Sequence, residues 1–472
     1  MKFIKILCFF LFIISYLAAF EEVDLESGAA EYKERILYLT EGVVVNHPIG
    51  RLSSLEMTLK PIPGVSPIRL GSADLSKQVR IDLADGAMLK CTTAAIDFVS
   101  GQGVFKNDSE QEYVIFSQNL KDKQERLPFI VKARTMELNF DPQPPRPTLK
   151  NIAIHRDVQI DYNHDFIASG DKGTFIRKNP AETGISGTIV LQADEGKLCS
   201  VTNRSGDLIR SSLITIDTAE RTIDFDKSSG SLAPHSSKVK QRIDFAAEKV
   251  LWNDRDNSVL LQRNVSLKQA GFGKLTTDGE IKITQKNEQG KKQLSTIESI
   301  GKTVLVQGED LPGPMRTLTC YGKLLVDHVC STITMESPPE GEQVFLEEAR
   351  AHVHADKATV DYSLDKSILK VLLEGHVQIR NAHSEKPKYA LADSLEYYPA
   401  TQEMILRAKG GNRVLLYDES KDLQISAPGI SLKRDLLTQK ETIKGLGDVR
   451  FSLAKEEFGE LRQKFSLKED RE

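Results

Sequence analysis

Two histidines and an aspartate, His352, His354 and Asp356, occupy every second position of one short segment. Alternate residues of an extended strand point to the same face, so both imidazoles could approach one metal ion. A structural zinc site generally needs four ligands, and Asp356 is the only further ligand nearby in register. An exposed polar strand face, opposite Val353 and Ala355, explains the pattern better, and we predict no metal site.

A second group, Asp327, His328 and Cys330, combines an acid, a base and a nucleophile. The local sequence matches no known catalytic signature for such residues. The glycine pair around Leu446 is too short for a phosphate-binding loop and is expected to turn between strands. We therefore predict no catalytic residue and no cofactor, and do not expect the chain to be an enzyme.

The carboxylates Asp356 and Asp393 could be taken for an acid–base pair, but they belong to a repeat. Ala355-Asp356 recurs as Ala392-Asp393, 37 residues later, and Val377 recurs as Val414 with the same shift. A fixed period of this size without a helical signature indicates a repeat architecture. An acidic residue at a fixed place in a repeat is expected to serve a turn or an edge.

The elements that carry these residues read as β-strands. The segment Val377–Arg380 alternates apolar and polar residues, which is typical of a strand with one buried face. Asp85-Gly86 lies between two alternating runs and predicts a hairpin. Short strands with turn signals every 10 to 12 residues or so predict a sandwich, a barrel or a stacked β-solenoid. Even repetition favours a long stacked array, because a closed barrel needs a defined number of strands.

The pattern divides the chain into four parts. Residues 1–20 are a signal peptide or an N-terminal anchor, residues 36–228 a first, divergent β-array, residues 242–452 a second β-array, and residues 453–472 a charged tail. The stretch Ser228–Gln241, rich in Ser and Lys, is the expected break between the two arrays.

Composition and targeting signals restrict the function. The net charge of -4 gives no basic field for nucleic acid, so we expect no nucleic-acid partner. Lys2 and Lys5 precede the apolar run Ile6–Leu17 and small residues, which is the pattern of a secretory signal. The longer stretch Phe3–Phe20 is barely long enough to remain as a membrane anchor. We therefore expect a periplasmic protein, free or held at the inner membrane.

The cysteines beyond Cys8 number four, and an even count in an exported chain permits disulfides. Cys320 and Cys330 flank a possible hairpin and could form a bridge. The alternative is that all four, which include Cys91 and Cys199, are small buried apolar residues.

The second array resembles a known family. The pattern A-D-x-A-x-x-x-Y, turn, L-x-G-x-V-x-I, link, L-x-A-D is similar to that of the OstA-like family, the periplasmic lipopolysaccharide-transport proteins of the LptA and LptC kind, also found as the N-terminal domain of LptD. The resemblance is clearest over residues 351–455, fair over 243–306 and weak over 36–59. The matching residues are Ala355, Asp356, Ala358, Tyr362, Leu373, Gly375, Val377, Ile379, Leu391, Ala392 and Asp393.

The resemblance implies an all-β, elongated and open stacked β-jelly roll (a β-taco) of repeated short antiparallel strands. It also implies a periplasmic bridge that carries lipopolysaccharide, with the lipid A acyl chains in an apolar groove, from the inner to the outer membrane. The expected partners are lipopolysaccharide or lipid A, other lipopolysaccharide-transport proteins at both membranes, and further copies of the chain bound end to end. The expected lipid-binding groove residues are Val353, Val377, Ile379, Val414 and Leu416.

A different class of function remains open. The same alternation is compatible with a structural or adhesive extracytoplasmic β-repeat protein that has a dry, closed core. An enzymatic β-helix that degrades polysaccharides ranks below both, since no acid pair stands out.

Overall fold

The structure is a computed structural model in which forty strands, and no helix, occur among the described residues. None of the described segments forms a helix long and apolar enough to span a membrane. The described residues are 23–65, 69–109, 111–122, 125–141, 148–178, 186–233, 242–270, 273–288, 291–307, 315–338, 340–349, 351–363, 367–381, 387–420, 422–438 and 440–452. The predicted signal segment 1–20 and tail 453–472 lie outside them.

The chain forms two compact units, Met1–Asp226 and Lys227–Glu472. The boundary between the units, Asp226/Lys227, falls inside the strand Thr222–Leu232. The predicted break, Ser228–Gln241, begins one residue later. Strands in and bordering unit 1 are β1 Asp24–Glu26, β2 Ala29–Lys33, β3 Ile36–Thr40, β4 Val43–His47, β5 Gly50–Ser54, β6 Glu56–Pro61, β7 Leu70–Leu83, β8 Met88–Asp97, β9 Gln102–Lys106, β10 Val114–Asp122, β11 Glu125–Ala133, β12 Thr135–Asp141, β13 Thr148–Tyr162, β14 Phe166–Arg177, β15 Gly187–Gln192, β16 Cys199–Asn203, β17 Leu208–Ser211, β18 Leu213–Asp217 and β19 Thr222–Leu232.

Unit 2 continues with the same kind of element. Its strands are β20 Ile243–Asn253, β21 Ser258–Gln262, β22 Val265–Gln269, β23 Gly273–Thr277, β24 Glu280–Glu288, β25 Lys291–Ile300, β26 Thr303–Gln307, β27 Arg316–Cys320, β28 Lys323–Asp327, β29 Thr332–Glu336, β30 Val344–Glu348, β31 Ala351–Ala355, β32 Lys357–Tyr362, β33 Ile368–Asn381, β34 Lys388–Tyr398, β35 Glu403–Arg407, β36 Val414–Asp418, β37 Leu423–Ala427, β38 Gly429–Arg434, β39 Glu441–Leu446 and β40 Arg450–Ser452.

Each unit contains two antiparallel ladders that share their longest strands. In unit 2 the A ladder runs in the order β20, β22, β23, β26, β27, β30, β31, β33, β34, β36, β37, β40. The B ladder runs in the order β20, β21, β24, β25, β28, β29, β32, β33, β34, β35, β38, β39. The long strands β20, β33 and β34 contribute one half to each ladder.

Unit 1 has the same arrangement. Its A ladder is β1, β4, β5, β7, β8, β10, β11, β13, β14, β16, β17. Its B ladder is β2, β3, β6, β7, β8, β9, β12, β13, β14, β15, β18, β19. The prediction of an all-β chain of repeated antiparallel strands in a jelly-roll-like stack is confirmed.

The chain passes from the B ladder to the A ladder through kinks of two consecutive residues with positive φ. Five such pairs are each followed by a valine with at most 2% of its surface exposed. They are Glu41-Gly42 before Val43, Lys77-Gln78 before Val79, Arg156-Asp157 before Val158, Arg263-Asn264 before Val265, and Gly375-His376 before Val377. Three of these pairs interrupt the register of a long strand, as a β-bulge does.

A hydrogen bond from the adjacent crossing fixes four of the kinks. Where the chain passes from A back to B, a backbone N–H donates to the carbonyl of the first kink residue. The pairs are Leu55 to Lys77 (2.9 Å), Arg134 to Arg156 (3.1 Å), Glu248 to Arg263 (3.0 Å) and Asp356 to Gly375 (3.0 Å). The kinks therefore form one side of each unit, and the hairpin tips of both ladders form the opposite side, which we call the far side.

Alternation along the strands fills the space between the ladders with apolar side chains. In β32, for example, Ala358, Val360 and Tyr362 are buried while the residues between them are half-exposed. Burying one such aliphatic side chain contributes about 1.5 to 3 kcal/mol to folding. The core is thus a thin layer repeated strand by strand.

Substitution of Gly375 would measure how much one kink contributes to the stability of the fold. Its φ is +75°, and a Cβ at this position would lie 2.2 Å from Asp356 Oδ2 and 2.9 Å from Asp356 Cβ. We expect Gly375→Ala to lower the free energy of unfolding by about 2 to 3 kcal/mol, from left-handed strain plus the clash. Gly411 has φ +84° with no atom within 4 Å of an added Cβ, so Gly411→Ala is the matched control. Gly411→Ala should lower the free energy of unfolding by about 1 kcal/mol, which is the left-handed strain without a clash. Urea melts that give equal losses for the two variants would show that Asp356 does not constrain the kink.

Candidate functional site

One apolar row crosses the A ladder of unit 2 at a constant register. Each member is the direct cross-strand partner of the next, so all point to the same face. The row, called the apolar row below, consists of Phe245, Leu267, Leu275, Leu305, Leu318, Leu346, Val353, Ile379, Ala390, Leu416 and Ile425. Its members come from eleven strands and include no polar residue.

The structure brings the five predicted groove residues onto this face. Val353, Ile379 and Leu416 belong to the apolar row itself. Val377 and Val414 lie two residues nearer the kinks and pair with Ala392 and Ala427. Their exposures differ: Val377 and Val414 are 1% and 0% exposed, Ile379 and Leu416 are 9% and 5% exposed, and Val353 is half-buried.

The apolar row is least covered at its middle. Leu318, Leu346 and Val353 are consecutive members and all three are half-buried, whereas Leu305 beside them is 1% exposed. Sequence reasoning singled out neither Leu318 nor Leu346. Their alternation within β27 and β30 marks them as strand residues, but only the register shows that they adjoin Val353.

The far side of each unit is closed by side chains from the two ladders. In unit 1, Arg177 at the end of β14 in the B ladder lies 3.8 Å from the carboxylate of Asp85, in the A-ladder hairpin. In unit 2, Lys388 of the A ladder forms an ion pair with Glu441 of the B ladder and lies 3.5 Å from Asp418. Burial alone would lower the pKa of Lys388, but the hydrogen bond and charge of Glu441, with the charge of Asp418, raise it.

An aromatic contact closes the far side near the start of unit 1. The His47 ring at the end of β4 packs on Phe98, which follows β8, with ring centroids 4.1 Å apart. His47 Nδ1 accepts a hydrogen bond from the Ile49 backbone N–H at 3.3 Å. Burial lowers the pKa of His47 to about 4, so the imidazole is neutral at pH 7.

The predicted turn and edge role of the repeated carboxylates is visible at the kinks. Asp356 accepts hydrogen bonds from Gln343 Nε2 at 2.8 Å and from His376 Nδ1 at 2.6 Å, and His376 is the second kink residue. That hydrogen bond, together with the charge of Asp356, raises the pKa of His376. Asp393 accepts from the Lys409 backbone N–H at 2.5 Å. The two carboxylates thus hold separate turns.

The remaining sequence candidates take structural places. His352 and His354 both lie beside the Phe345 ring, with centroids 5.7 and 4.7 Å away. Within the described ranges no group of three or more His, Cys, Asp or Glu could hold a metal ion. Asp327 accepts hydrogen bonds from the backbone N–H groups of Val329 and Cys330, which caps its own hairpin.

Other expectations concern His328, the thiols and the glycine pair. His328 is buried, with Nδ1 3.0 Å from the Tyr362 hydroxyl. Gly445 and Leu446 end strand β39, and Gly447 has the positive φ of the turn that follows.

Cys320 is buried and Cys330 exposed, and both are free thiols. They lie at opposite ends of β28, about 16 Å of extended chain, so the proposed bridge is not formed. Cys91 and Cys199 are also buried, and burial raises the pKa values of their thiols to about 12 and 11.

Comparison with known proteins finds similarity to solved structures. No family model matches the sequence, and no curated protein matches it. A solved structure similar to part of the chain is LptH of Pseudomonas aeruginosa, described as the LptA-homologous periplasmic component of the conserved lipopolysaccharide transport device. It is 9% identical and is matched over 95% of its own length and 30% of this chain, with a TM-score of 0.24. A likeness at that score carries no argument about function.

The His47 contact generates a pH prediction for unit 1. The folded pKa of about 4 lies below the ordinary value of 6.5, so the folded state binds fewer protons than the unfolded state. Stability from this group is therefore complete above pH 6.5 and is lost as the pH falls toward 4. Between pH 7 and pH 5 the loss should be about 1 to 2 kcal/mol.

The variant His47→Phe keeps a ring against Phe98 and removes the titrating group. Between pH 7 and pH 5 the unmodified protein should lose about 1 to 2 kcal/mol of unfolding free energy more than the variant does, because the variant lacks the titrating group. Denaturant melts at the two pH values measure this difference. Identical pH dependence of both proteins would contradict the assignment.

Proposed function

We propose that unit 2 holds the acyl chains of a lipid against the apolar row, and that the chain is an extracytoplasmic carrier of lipopolysaccharide. In this proposal it acts as an LptA-like bridge from the inner to the outer membrane, exported by its N-terminal segment. The observation that carries the proposal is the continuity of the apolar row over eleven strands. Most members of the row are covered within the protein, so an acyl chain would reach the row at its half-buried members. Each methylene buried there contributes about 0.8 kcal/mol.

The half-buried stretch Leu318–Leu346–Val353 is the proposed point of contact. These side chains already lie partly in water, so a lipid can cover them without first separating packed residues. Next to them, toward the far side, Arg316 Nη2 donates to Glu348 Oε1 at 3.0 Å. That pair, 39% and 32% exposed, gives the edge of the stretch a polar border.

A structural β-repeat protein is the second candidate, and one observation favours it. Val377 and Val414, nearer the kinks, are almost completely buried. A core packed in this way is stable without a ligand. The two candidates therefore differ in what happens at the middle of the apolar row, and not at the kinks.

A charge placed at Val353 separates the two candidates. In a carrier, Val353→Glu puts a carboxylate among acyl chains, where an unpaired charge is costly, while water can still reach it in the lipid-free protein. We expect the melting temperature to change by no more than about 3 °C and lipid contact to fall about tenfold or more. Lipid contact is measured by photo-crosslinking from p-benzoylphenylalanine at Leu346 to lipopolysaccharide.

His354→Glu, on the other face of the same strand, is the matched control: it should leave lipid contact unchanged, and its melting temperature should show only the loss of the Phe345 ring contact. Val414 is 0% exposed, so Val414→Glu should lower the free energy of unfolding by several kcal/mol. Its melt shows how the protein responds to a charge in a closed core. If Val353→Glu melts as Val414→Glu does, the structural candidate is correct. If Val353→Glu is folded and crosslinks as before, the apolar row does not hold the lipid.

The terminal strands support a proposal about assembly. Within the described strands, β1 and β2 each pair with one neighbour, as do β39 and β40. A strand edge with free backbone groups is a template for another strand. We expect end-to-end contact with further copies or with similar jelly-roll proteins.

Crosslinkers at Tyr32 in β2 and at Lys444 in β39 should therefore yield products of about twice the chain mass, at concentrations where strand addition occurs. Thr202, exposed in β16, which pairs on both sides, is the control position and should yield none. Equal yields at all three positions would rule out assembly through the terminal edges.

A further inference from the structure

One hairpin tip of unit 2 differs from the others in its exposed side chains. The tip between β38 and β39, residues 434–440, carries Leu436 at 59% and Leu437 at 94% exposure. Leu437 is the most exposed of the large hydrophobic residues in the described part of the chain. Contiguous exposed apolar surface is one mark of an interaction site.

Hydrogen bonds to Asp435 shape the tip, and both leucines are exposed. Asp435 Oδ1 accepts hydrogen bonds from the backbone N–H groups of Leu437 at 2.9 Å and Thr438 at 2.7 Å. The Asp435 N–H donates to the Lys440 carbonyl at 2.9 Å, which closes the loop. The hydrogen bonds from Thr438 and Leu437, with the charge of Lys433, lower the pKa of Asp435, so its carboxylate stays charged and directed at the turn.

The same turn recurs at other tips of the B ladders, and this gives an internal comparison. Asp97, Asp217, Asn253 and Asp327 each accept from the N–H groups two and three residues later. At the position of Leu437 the tip after Asp327 has Val329, which is 62% exposed. That tip, Asp327–Ser331, contains no Lys or Arg.

The leucine tip, in contrast, is surrounded by cations. Lys433, Arg434 and Lys440 flank it and are all exposed. The two carboxylates of the hairpin are engaged within the protein, Asp435 with its own turn and Glu441 with Lys388. The outer surface of the tip combines apolar side chains at the apex with Lys433, Arg434 and Lys440 behind them, and Glu403 lies opposite Lys433 on the neighbouring strand.

We propose that the hairpin tip 434–440 docks on an anionic lipid bilayer, with Leu436 and Leu437 among the acyl chains and the three cations at the headgroups. Apolar insertion and basic residues together give reversible membrane attachment, whereas either alone gives a weak one. Each basic residue near an anionic surface strengthens binding about fivefold. The proposal does not depend on carriage of lipid by the apolar row, because the ligand is the bilayer itself.

The test uses the chain without the predicted signal segment 1–20, whose apolar run would itself bind vesicles, and vesicles without lipopolysaccharide. Sedimentation is compared between vesicles of phosphatidylcholine alone and vesicles with about 30 mol% phosphatidylglycerol, at about 0.1 M salt. The protein should bind the anionic vesicles at least about tenfold more strongly, and about 0.5 M salt should remove most of that difference.

Two variants and one control assign the binding to the tip. Leu436→Ser with Leu437→Ser should weaken binding about tenfold or more, and Lys433→Gln with Arg434→Gln about twentyfold. Val329→Ser, in the equivalent turn without cations, should bind as the unmodified protein does. All substituted residues are exposed, and Trp252, buried at 3% exposure in unit 2 and the only tryptophan, reports by its fluorescence that the unit is folded.

Three outcomes would overturn the proposal. The protein does not sediment with anionic vesicles; it binds both vesicle types equally; or the leucine double variant binds as before. If sedimentation equilibrium shows a dimer that the leucine double variant loses, without vesicle binding, the occupant of the tip is a second copy of the chain and the membrane assignment is wrong.

Discussion

The kinks are the constraint on which the architecture depends. At five crossings from the B ladder to the A ladder the chain turns through a left-handed pair, and in β7, β13 and β33 it does so within one strand. For residues other than glycine that conformation costs roughly 1 to 2 kcal/mol each. Burial of the following valine and the hydrogen bond to the kink carbonyl offset the cost at the same place. At Glu248 and Asn264 a side-chain hydrogen bond of 2.5 Å adds to this, as Asp356 and His376 do at Gly375.

This arrangement makes the two sides of each unit unequal. The kink side is joined by the chain itself and by backbone hydrogen bonds. The far side is joined by side chains: Arg177 with Asp85, Lys388 with Glu441, and His47 with Phe98. Partly exposed ion pairs such as Lys388–Glu441 contribute about 0 to 1 kcal/mol. Separation of the ladders is therefore less costly at the far side, and the kink side acts as the fixed edge.

The sequence predicts the strands well and the kinks poorly. Alternation identified the all-β class, and the repeat of 37 residues found Gly375 and its aspartate. Lys77-Gln78, Arg156-Asp157 and Arg263-Asn264 carry no glycine. Asp157 and Asn264 are residue types that tolerate the left-handed conformation, but the residues before them and the pair Lys77-Gln78 adopt it only because tertiary contacts compensate. The stretch Asn107–Arg126 is mostly polar, yet it contains β10, whose partners β8 and β11 supply the pairing. The candidate site was only partly predictable. Val353 could be assigned to a face from its own strand, but that Leu318 and Leu346 adjoin it is known only from the cross-strand register.

The function of the apolar row depends on which of its side chains the protein leaves partly exposed to water. A core that only stabilises a fold gains most when every apolar side chain is fully buried, as Val377 and Val414 are. A surface that must accept and release an acyl chain needs the opposite property, apolar area that stays partly hydrated without ligand. Leu318, Leu346 and Val353 have this property, and they lie together, away from the kinks that fix the two ladders. The carrier proposal therefore depends on three adjacent residues, and the neighbouring valines supply the rigid frame against which a bound chain would be held.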